Sequence, residues 1–252
     1  MTAAIAALFR HPIKGFTPEK LDRAELVPGG AFPGDRLYAV EDGPSGFDAA
    51  APGFIPKQRF TVLAKIAEVA RARTRYDDAT GVLTANAEGQ PDFRGDLTEE
   101  AGRTAFAAWL AGLLGEAATG PLRVLDGVGH RFLDHPLGHV SIINLASIRD
   151  LEQRLGRPVD PLRFRANLYV EGWPAWAENG WEGRTVRLGT AEATVFKTIV
   201  RCAAPGVDPA TAIRDMDIPA ELHRLYGHVL CGVYIQVTRP GTIAEGDPIE
   251  VV

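Results

Sequence analysis

Cysteine is scarce in this chain: Cys202 and Cys231 are the two among 252 residues. Two cysteines are too few for a disulfide scaffold, so we expect a protein of a reducing cytoplasm. Long apolar runs are also missing, since no stretch of about 18 apolar residues occurs, and we expect no membrane span. The apolar stretch within residues 1–10 lacks a basic lead-in and a small-residue cleavage pattern, which argues against a signal peptide.

Positive charge is in deficit, because 27 Lys and Arg face 32 Asp and Glu for a net charge of -5. Nucleic acids and anionic membranes bind surfaces with a surplus of positive charge, so we expect neither as a partner. The sequence also has no G-x-G-x-x-G, no P-loop, no G-x-S-x-G and no H-E-x-x-H. Nucleotide-binding, esterase and metalloprotease functions therefore lack support.

Glycine and proline are plentiful, with 27 and 18 residues, and they separate many short apolar segments. Such segments between turn residues predict strands. Strands are expected at residues 5–9, 21–27, 37–40, 66–73, 82–85, 122–125, 140–143, 164–170, 185–188, 193–198, 229–238 and 249–252. Closely spaced strands with few helices predict an α+β, mostly β protein that is barrel-like, with peripheral helices, rather than alternating βαβ units.

Helical signals are clear in two places. Apolar spacing predicts a helix over 97–113, with Asp96 as its cap and Gly115 as its stop. A second helix is predicted over 145–155, capped by Asn144 and ended by Gly156. A short helix is expected near Pro219. The Ala/Thr/Gly/Pro stretch at 117–121 is the best candidate domain boundary.

The two cysteines have different neighbours. Cys231 lies in the apolar stretch 229–235, which predicts a small buried hydrophobic residue. Cys202 follows Arg201 at a predicted strand end and precedes a Pro/Gly loop, a setting that suits a nucleophile or a soft-metal ligand. On local sequence alone, a structural role is still the commoner outcome for such a cysteine.

Two further clusters of polar residues stand out. If residues 163–167 form a strand, the side chains of Arg163, Arg165 and Asn167 lie on one face. That face either binds an anionic ligand or is a strand edge exposed to solvent. Three histidines lie within the loop 127–138 or directly after it, but no further ligand completes a structural zinc site. They are His130, His135 and His139.

Six short segments occur in an order and spacing that match one known family. They are residues 11–15 (HPIKG), 34–36 (GDR), 141–147 (SIINLAS), 163–167 (RFRAN), 201–209 (RCAAPGVDP) and 241–247 (GTIAEGD). On these segments the chain resembles the MOSC family, named for the C-terminal domain of molybdenum-cofactor sulfurase, and above all its amidoxime-reducing subgroup. Residues 1–118 resemble its N-terminal β-barrel domain, and residues 119–252 resemble the MOSC domain, a β-barrel with peripheral helices.

The chain departs from the family pattern in three ways. Residues 57–63 (KQRFTVL) are shorter than the family's T-Q-R-x-x-P-x-L and lack its proline. Ala166 replaces the proline of R-F-R-P-N. Too few residues follow the barrel for the ferredoxin-like domain that some bacterial relatives carry, so we expect none.

The resemblance implies a molybdenum ion held by a pyranopterin, with Cys202 as the catalytic thiolate ligand of the metal. The pterin carries a phosphate and many hydrogen-bonding edges, which call for cations and amides. Asn144 and Ser147 are expected to present the phosphate to the free amides of a helix N-terminus. The cofactor would lie between the two domains. The implied cofactor-binding residues are Lys14, Gly15, Arg36, Asn144, Ser147, Arg165, Asn167, Arg201 and Cys202.

By the same resemblance, the protein is expected to reduce small N-hydroxylated molecules. No flavin, haem or Fe–S signature occurs in the chain, so electrons would come from a separate ferredoxin, flavoprotein or cytochrome b5-type protein. An alternative is a sulfur- or cofactor-carrier module in which Cys202 holds a persulfide or docks the cofactor. A third is the fold without any cofactor.

Overall fold

The structure is a computed structural model that describes residues 3–252. These residues form three α-helices, α1 (Glu100–Leu114), α2 (Leu145–Leu155) and α3 (Ile218–Tyr226). None of them is both long and apolar enough to cross a membrane. The strands in the same residues are β1 (Ala4–Arg10), β2 (Glu19–Leu21), β3 (Arg23–Leu26), β4 (Tyr38–Asp42), β5 (Arg73–Tyr76), β6 (Val82–Asn86), β7 (Phe93–Asp96), β8 (Leu122–Asp126), β9 (Val140–Asn144), β10 (Leu168–Glu171), β11 (Thr185–Leu188), β12 (Ala191–Val200), β13 (Leu230–Arg239), β14 (Gly241–Ala244) and β15 (Ile249–Val251).

Eight strands lie side by side in the order β15-β11-β12-β13-β9-β10-β1-β2. Neighbours are antiparallel except β9 and β10, which are parallel. The sheet closes on itself, because Ala4 of β1 also forms a bridge with Pro248, just before β15. The amide of Ile5 donates to the carbonyl of Asp247 (2.9 Å), and the amide of Gly246 donates to Ile5 (2.8 Å). The prediction of a mostly β, barrel-like fold with peripheral helices is confirmed.

Strands from the first part of the chain are built into the second. β1 pairs with β10, β3 with β14, and β4 with β8. Three strand pairs therefore cross the predicted boundary at residue 118, in addition to the Ala4–Pro248 bridge, and the division into 1–118 and 119–252 stays a prediction. The sheet β5-β6-β7 lies within the first segment, whereas α1, which packs against it, also contacts β8 of the second.

Two large apolar cores result from this arrangement. The first fills the barrel with alternate residues of its strands, such as Leu8, Val195 and Ile235. The second lies between α1 and the sheet β5-β6-β7, where Phe106 and Leu110 are fully buried. The interior-facing positions follow the period-2 pattern that makes a strand amphipathic.

The helix predictions agree with the structure for α2 and in part for α1. Asn144 caps α2 by accepting from the amide of Ala146 (3.0 Å), and Gly156 ends it in the left-handed region (φ 66°). Gly115 ends α1 as predicted, but Asp96 as its cap is wrong. Asp96 ends β7, and its carboxylate accepts from the amide and hydroxyl of Thr98, so the helix begins only after that turn.

The strand predicted across residues 163–167 is wrong. Asp160 accepts from the amide of Leu162 (2.8 Å) and Pro161 follows it, so the chain makes a 3₁₀ turn over Pro161–Phe164. Arg165 then takes a left-handed conformation (φ 53°), and β10 begins only at Leu168. The predicted strand at 66–73 is also a 3₁₀ turn, Ala67–Arg71, and β5 follows it.

Candidate functional site

A cavity of about 230 Å³ opens where β12 ends, beside the Pro161–Phe164 turn and the loop between β8 and β9. Five of the sequence-predicted residues line it, and a smaller adjoining recess adds Lys14 and Gly15. The structure thus brings together seven of the nine predicted residues, Lys14, Gly15, Arg36, Arg165, Asn167, Arg201 and Cys202. Asn144 and Ser147 are not among the lining residues.

Cys202 is half-buried at the wall of this cavity. The chain leaves β12 at Val200 and turns tightly at Ala204–Gly206, where a Cβ on Gly206 would lie 2.3 Å from the carbonyl of Met216. The ammonium of Lys57 lies beside the Cys202 thiol. Burial alone would lower the pKa of Lys57, but Asp134 and Cys202 raise it, so this ammonium stays charged.

Arg201 is held firmly and still has one free group. Its Nε donates to the carbonyl of Cys231 (2.8 Å), and its Nη1 donates to the carbonyl of Phe164 (2.9 Å). Its Nη2 is buried and has no hydrogen-bond partner among the described residues. Because buried polar groups are almost always paired, a free guanidinium nitrogen at a cavity wall indicates a place for a ligand atom.

The guanidinium of Arg165 makes no hydrogen bond or ion pair in the described part of the chain, and Asp134 and Asp35 offset its charge only in part. Burial and the neighbouring Arg36 lower the pKa of Arg165 to about 10, which still leaves it protonated at neutral pH. A cation held in this way is destabilised until an anion or a strong acceptor reaches it.

Arg36 is positioned by a buried acid, Asp35. The Asp35 carboxylate accepts from the amide of His11 (2.6 Å) and pairs with Arg36, which ties residues 34–36 to residues 11–15. Burial would raise the pKa of Asp35, but Arg36 and His11 hold it below its usual range. Burial and Arg165 lower the pKa of His11 to about 3, so its ring is neutral. Asp35 therefore pairs directly with Arg36 and acts on Arg165 only from a distance.

Asp134 is the one carboxylate that lines the cavity. It accepts from Lys14 Nζ (2.5 Å), which also donates to the carbonyl of Phe132 (2.9 Å). Burial would raise the pKa of Asp134, but Lys14, Arg36 and Lys57 hold it far below its usual range. One carboxylate cannot balance the cations around it, so the cavity attracts anions. The other charged lining residues are Arg36, Lys57, Arg163, Arg165, Lys197 and Arg201.

Three predicted residues shape the walls rather than offer free donors. Lys14 is 2% exposed and occupied by Asp134. Gly15 has φ 94°, and a Cβ there would lie 2.7 Å from the carbonyl of Thr61. Asn167 accepts from the amide and hydroxyl of Ser141 (3.0 and 2.9 Å) and donates to the carbonyl of Phe9 (3.2 Å). Direct cofactor contacts from these residues stay predictions.

The predicted phosphate site at Asn144 and Ser147 is not supported, because the chain supplies its own anion there. Asn144 Nδ2 donates to one carboxylate oxygen of Glu178 (2.8 Å), and Ser147 Oγ donates to the other (2.7 Å). All three residues are buried. A carboxylate already occupies the position beside the N-terminus of α2 that a phosphate would need.

Sequence reasoning missed several cavity residues. Asp134 precedes one of the loop histidines, and Lys57 lies in the segment that departs from the family pattern, but neither carried a local signal of its own. Tyr234 points from β13 to the cavity, and burial together with Asp134 raises its pKa to about 12. Lys197, on β12, also lines the cavity and was not predicted.

Part of the chain is similar to curated mitochondrial proteins. It is 33% identical to mitochondrial amidoxime-reducing component 1 of Mus musculus over 120 residues, which are 43% of this chain and 35% of the relative. It is 30% identical to mitochondrial amidoxime reducing component 2 of Bos taurus over 122 residues, 44% of this chain and 36% of that one. The matching segment thus spans about a third of the length of these curated relatives.

Among solved structures, the YuaD protein from Bacillus subtilis aligns over 100% of this chain and 96% of its own, with 16% identity and a TM-score of 0.48. Two family models together match most of the sequence. The model of the MOSC N-terminal beta barrel domain matches residues 2–119, and the MOSC domain model matches residues 130–250. The match includes the turn that carries Arg165 and the strand end that carries Cys202, so the chain belongs to the MOSC family.

Proposed function

We propose that this protein is a molybdenum-cofactor-dependent oxidoreductase that reduces N-hydroxylated compounds. The observation that carries the proposal is a single half-buried thiol, Cys202, set among cations that the described chain leaves without enough anions. Relatives named for amidoxime reduction support the reaction class. The thiol and the excess of cations line the same cavity, and the named relatives match part of this chain.

The residues at this cavity fit a metal–pterin group. Within residues 3–252, no cluster of three His, Cys, Asp or Glu side chains is arranged to hold a metal ion. A metal here therefore needs most of its ligands from an organic cofactor, and Cys202 supplies a soft sulfur donor. Arg165 and the free Nη2 of Arg201 would bind anionic oxygens of that cofactor.

The proposed reaction is a two-electron reduction, in which R–NH–OH, two electrons and two protons give R–NH2 and water. The N–O bond breaks, and the oxygen leaves as water. When bound, the cofactor supplies the electrons to that bond. The ammonium of Lys57, beside Cys202, would stabilise negative charge that develops on the departing oxygen. The Tyr234 hydroxyl stays protonated at neutral pH and can donate a hydrogen bond in the same cavity.

Electrons are proposed to come from a separate protein, of the ferredoxin, flavoprotein or cytochrome b5 type. The chain itself shows no flavin, haem or Fe–S signature. A cation-rich cavity favours approach of an electron donor with an acidic surface, because complementary charge speeds association.

Metal and pterin analysis of protein from a molybdenum-replete host tests the proposal. We expect bound molybdenum and pterin, together with reduction of benzamidoxime by a chemically reduced viologen. Protein that carries neither metal nor pterin would contradict it. Mass spectrometry of the fresh protein separates the carrier alternative, since an added sulfur atom on Cys202 without pterin would indicate a persulfide carrier.

A further inference from the structure

A second cleft, of about 460 Å³, lies between the loop that follows β3 and the loop that joins β8 to β9. It has no lining residue in common with the cavity at Cys202, so it is a separate feature of the molecule. Its volume is in the range of small-molecule sites. Within residues 3–252 no carboxylate lines the cleft, whereas His130, Arg131 and His139 do. Its side chains therefore carry positive charge or none.

Arg131 has donors that the chain does not use. Its Nη1 donates to the carbonyl of the preceding residue (2.9 Å), and its Nε is buried without a hydrogen-bond partner in the described part of the chain. The carboxylates in the same stretch of chain pair elsewhere. Asp126 pairs with Arg103 (3.6 Å), and Asp134 pairs with Lys14 (2.5 Å). A buried guanidinium nitrogen without an acceptor is unfavourable unless a ligand supplies one.

The two histidines of the cleft can add to this charge. Burial lowers the pKa of both rings, so both are largely neutral while the cleft is empty. Arg131 is the charged group that acts on His130, and burial alone acts on His139. His130 packs against Phe47 and Phe132, with ring centroids 5.9 and 5.3 Å away, so its position is fixed. An anion beside these rings would favour their protonated forms.

Two matching turns bring backbone amides to the same cleft. Residues 27–30 and 127–130 each form a turn closed by a hydrogen bond from the fourth amide to the first carbonyl. The third residue is glycine in both, Gly29 (φ 71°) and Gly129 (φ 78°), as a type II turn requires. Both glycines line the cleft, and their amides donate to no acceptor among residues 3–252. The amides are further donors for an anion.

We propose that this cleft binds phosphate, either free or as a small phosphomonoester. The unpaired guanidinium of Arg131 and the two protonated rings match the charge of a phosphate dianion, whereas a monocarboxylate would balance Arg131 alone. The tetrahedral oxygens suit donors that converge from two loops. Val27, Pro33 and Pro136 also line the cleft and leave room for a small apolar body on the ester. The proposal does not depend on the proposed function.

NMR of the histidine rings in the full-length protein tests this first. Sulfate is the initial probe, because it stays a dianion between pH 5 and pH 8. Sulfate should shift the ring signals of His130 and His139 and raise both pKa values by about one unit. The signals are assigned with His→Gln variants. His135 lines the cavity at Cys202, so its signal reports separately any sulfate that binds there.

The affinity should depend on pH in one direction. Because binding raises the pKa of His130 and His139, it takes up protons and becomes tighter as the pH falls. Calorimetric titration at constant ionic strength should therefore give a Kd for sulfate at pH 6 that is roughly tenfold lower than at pH 8. At pH 7, phenyl phosphate should bind roughly tenfold more tightly than benzoate, which carries one negative charge less.

A matched pair of variants tests the role of Arg131. Arg131→Met should weaken sulfate binding roughly ten- to a hundredfold, because a charge-assisted hydrogen bond is lost. Arg94 is exposed and does not line the cleft, so Arg94→Met changes the net charge equally and should leave binding unchanged. If Arg131→Met does not fold, His139→Gln serves instead, since it should reduce the difference in Kd between pH 6 and pH 8.

The outcomes divide clearly. Ring signals of His130 and His139 that do not move at high sulfate concentration would overturn the proposal. So would equal affinity at pH 6 and pH 8, equal binding by Arg131→Met and Arg94→Met, or benzoate binding as tight as that of phenyl phosphate. Tighter binding of phenyl phosphate than of inorganic phosphate would identify a phosphomonoester as the ligand, and equal binding would identify free phosphate.

Discussion

The cavity and the ion cluster of Arg163, Asp208 and Asp215 both adjoin the Pro161–Phe164 turn. They differ in how far their charges are balanced. Arg163, on one side of the turn, is 3% exposed and binds both Asp208 (2.8 Å) and Asp215 (2.8 Å). It also donates weakly to the carbonyls of Pro205 and Gly206 (both 3.4 Å). Arg165, two residues later, lines the same cavity but has no such partner among the described residues. The left-handed conformation of Arg165 separates the two side chains.

The difference indicates how to tell a structural cluster from a binding site. In the cluster of Asn144, Ser147 and Glu178, the chain supplies both the donors and the anion. In the Arg163 cluster, Asp208 and Asp215 match the positive charge, although Arg163 Nε is buried without a partner among the described residues. In the cavity, donors and positive charge are left over. Leftover donors destabilise a protein on its own, so they point to a ligand that completes them.

Replacing the two cysteines tests this contrast with the largest expected effect. Cys202→Ser should abolish reduction of N-hydroxylated substrates and lower bound molybdenum, because a hydroxyl is a poor substitute for a thiolate on the metal. Cys231 is fully buried in an apolar core, and burial raises the pKa of its thiol to about 12. Cys231→Ser should leave activity largely intact and lower the free energy of unfolding by about 1–3 kcal/mol. Metal analysis, activity and urea unfolding measure both; an inactive Cys231→Ser would reverse the assignment.

Replacing Arg163 should destabilise the chain around its ion pairs with Asp208 and Asp215. Arg163→Met leaves Asp208 without its ion-pair partner, leaves Asp215 with Arg157 alone and frees the loop after Cys202, so we expect about 2–4 kcal/mol of destabilisation. The thiol of Cys202 should then react faster with iodoacetamide. Arg157 binds the same Asp215 (2.6 Å) from an exposed position, and Arg157→Met should cost under about 1 kcal/mol. Equal effects from the two variants would show that Arg163 has no special role.

Burial of Glu178 predicts that the stability contributed by the cluster of Asn144, Ser147 and Glu178 depends on pH. Burial raises the pKa of Glu178, although Asn144 and Ser147 lower it in part. The contribution of Glu178 is fully present below its unfolded pKa and declines as the pH rises through the folded one. Unfolding midpoints in urea should therefore fall, as the pH rises above about 4.5, more steeply in the wild type than in Glu178→Gln. Parallel pH profiles for the two proteins would contradict this.

Replacing Arg165 should have the smallest effect on stability, with the opposite sign. Arg165→Met removes an uncompensated cation next to Arg36, so cofactor-free protein should become more stable by roughly 1 kcal/mol. The same change should lower the cofactor content of protein made in a molybdenum-replete host. Thermal unfolding and metal analysis give the two readouts. A loss of stability comparable to that of Arg163→Met would mean that the two sides of the turn do not differ.

Local signals predicted local structure well. Asn144 and Gly156 delimit α2 because each acts on the backbone of its immediate neighbours. Alternation in residues 163–167 failed as a signal, since Asp160 and Pro161 start a turn that continues into this segment. Arg165 still reaches the cavity, through a backbone conformation that alternation does not describe.

The site could be predicted only as far as family motifs reach. Cys202, Arg165 and Arg201 lie in such motifs, and the structure brings them together. Asp134 and Lys57 come from loops without regular patterns, so only the folded chain shows that they meet. The expected phosphate position at α2 stays a prediction without support, because Glu178, from a distant segment that no helix-capping rule takes into account, accepts from Asn144 and Ser147 there.

The seam between β1 and β15 has a consequence for folding. These two strands come from nearly opposite parts of the sequence, so their pairing has a very large contact order. Loop-closure entropy opposes such contacts until the intervening chain is already compact. We therefore expect the seam to form last, after the pairs β12–β13 and β11–β12 that adjoin along the chain. Amides at the seam, such as those of Ile5 and Gly246, should exchange with solvent sooner than those of the β12–β13 pair.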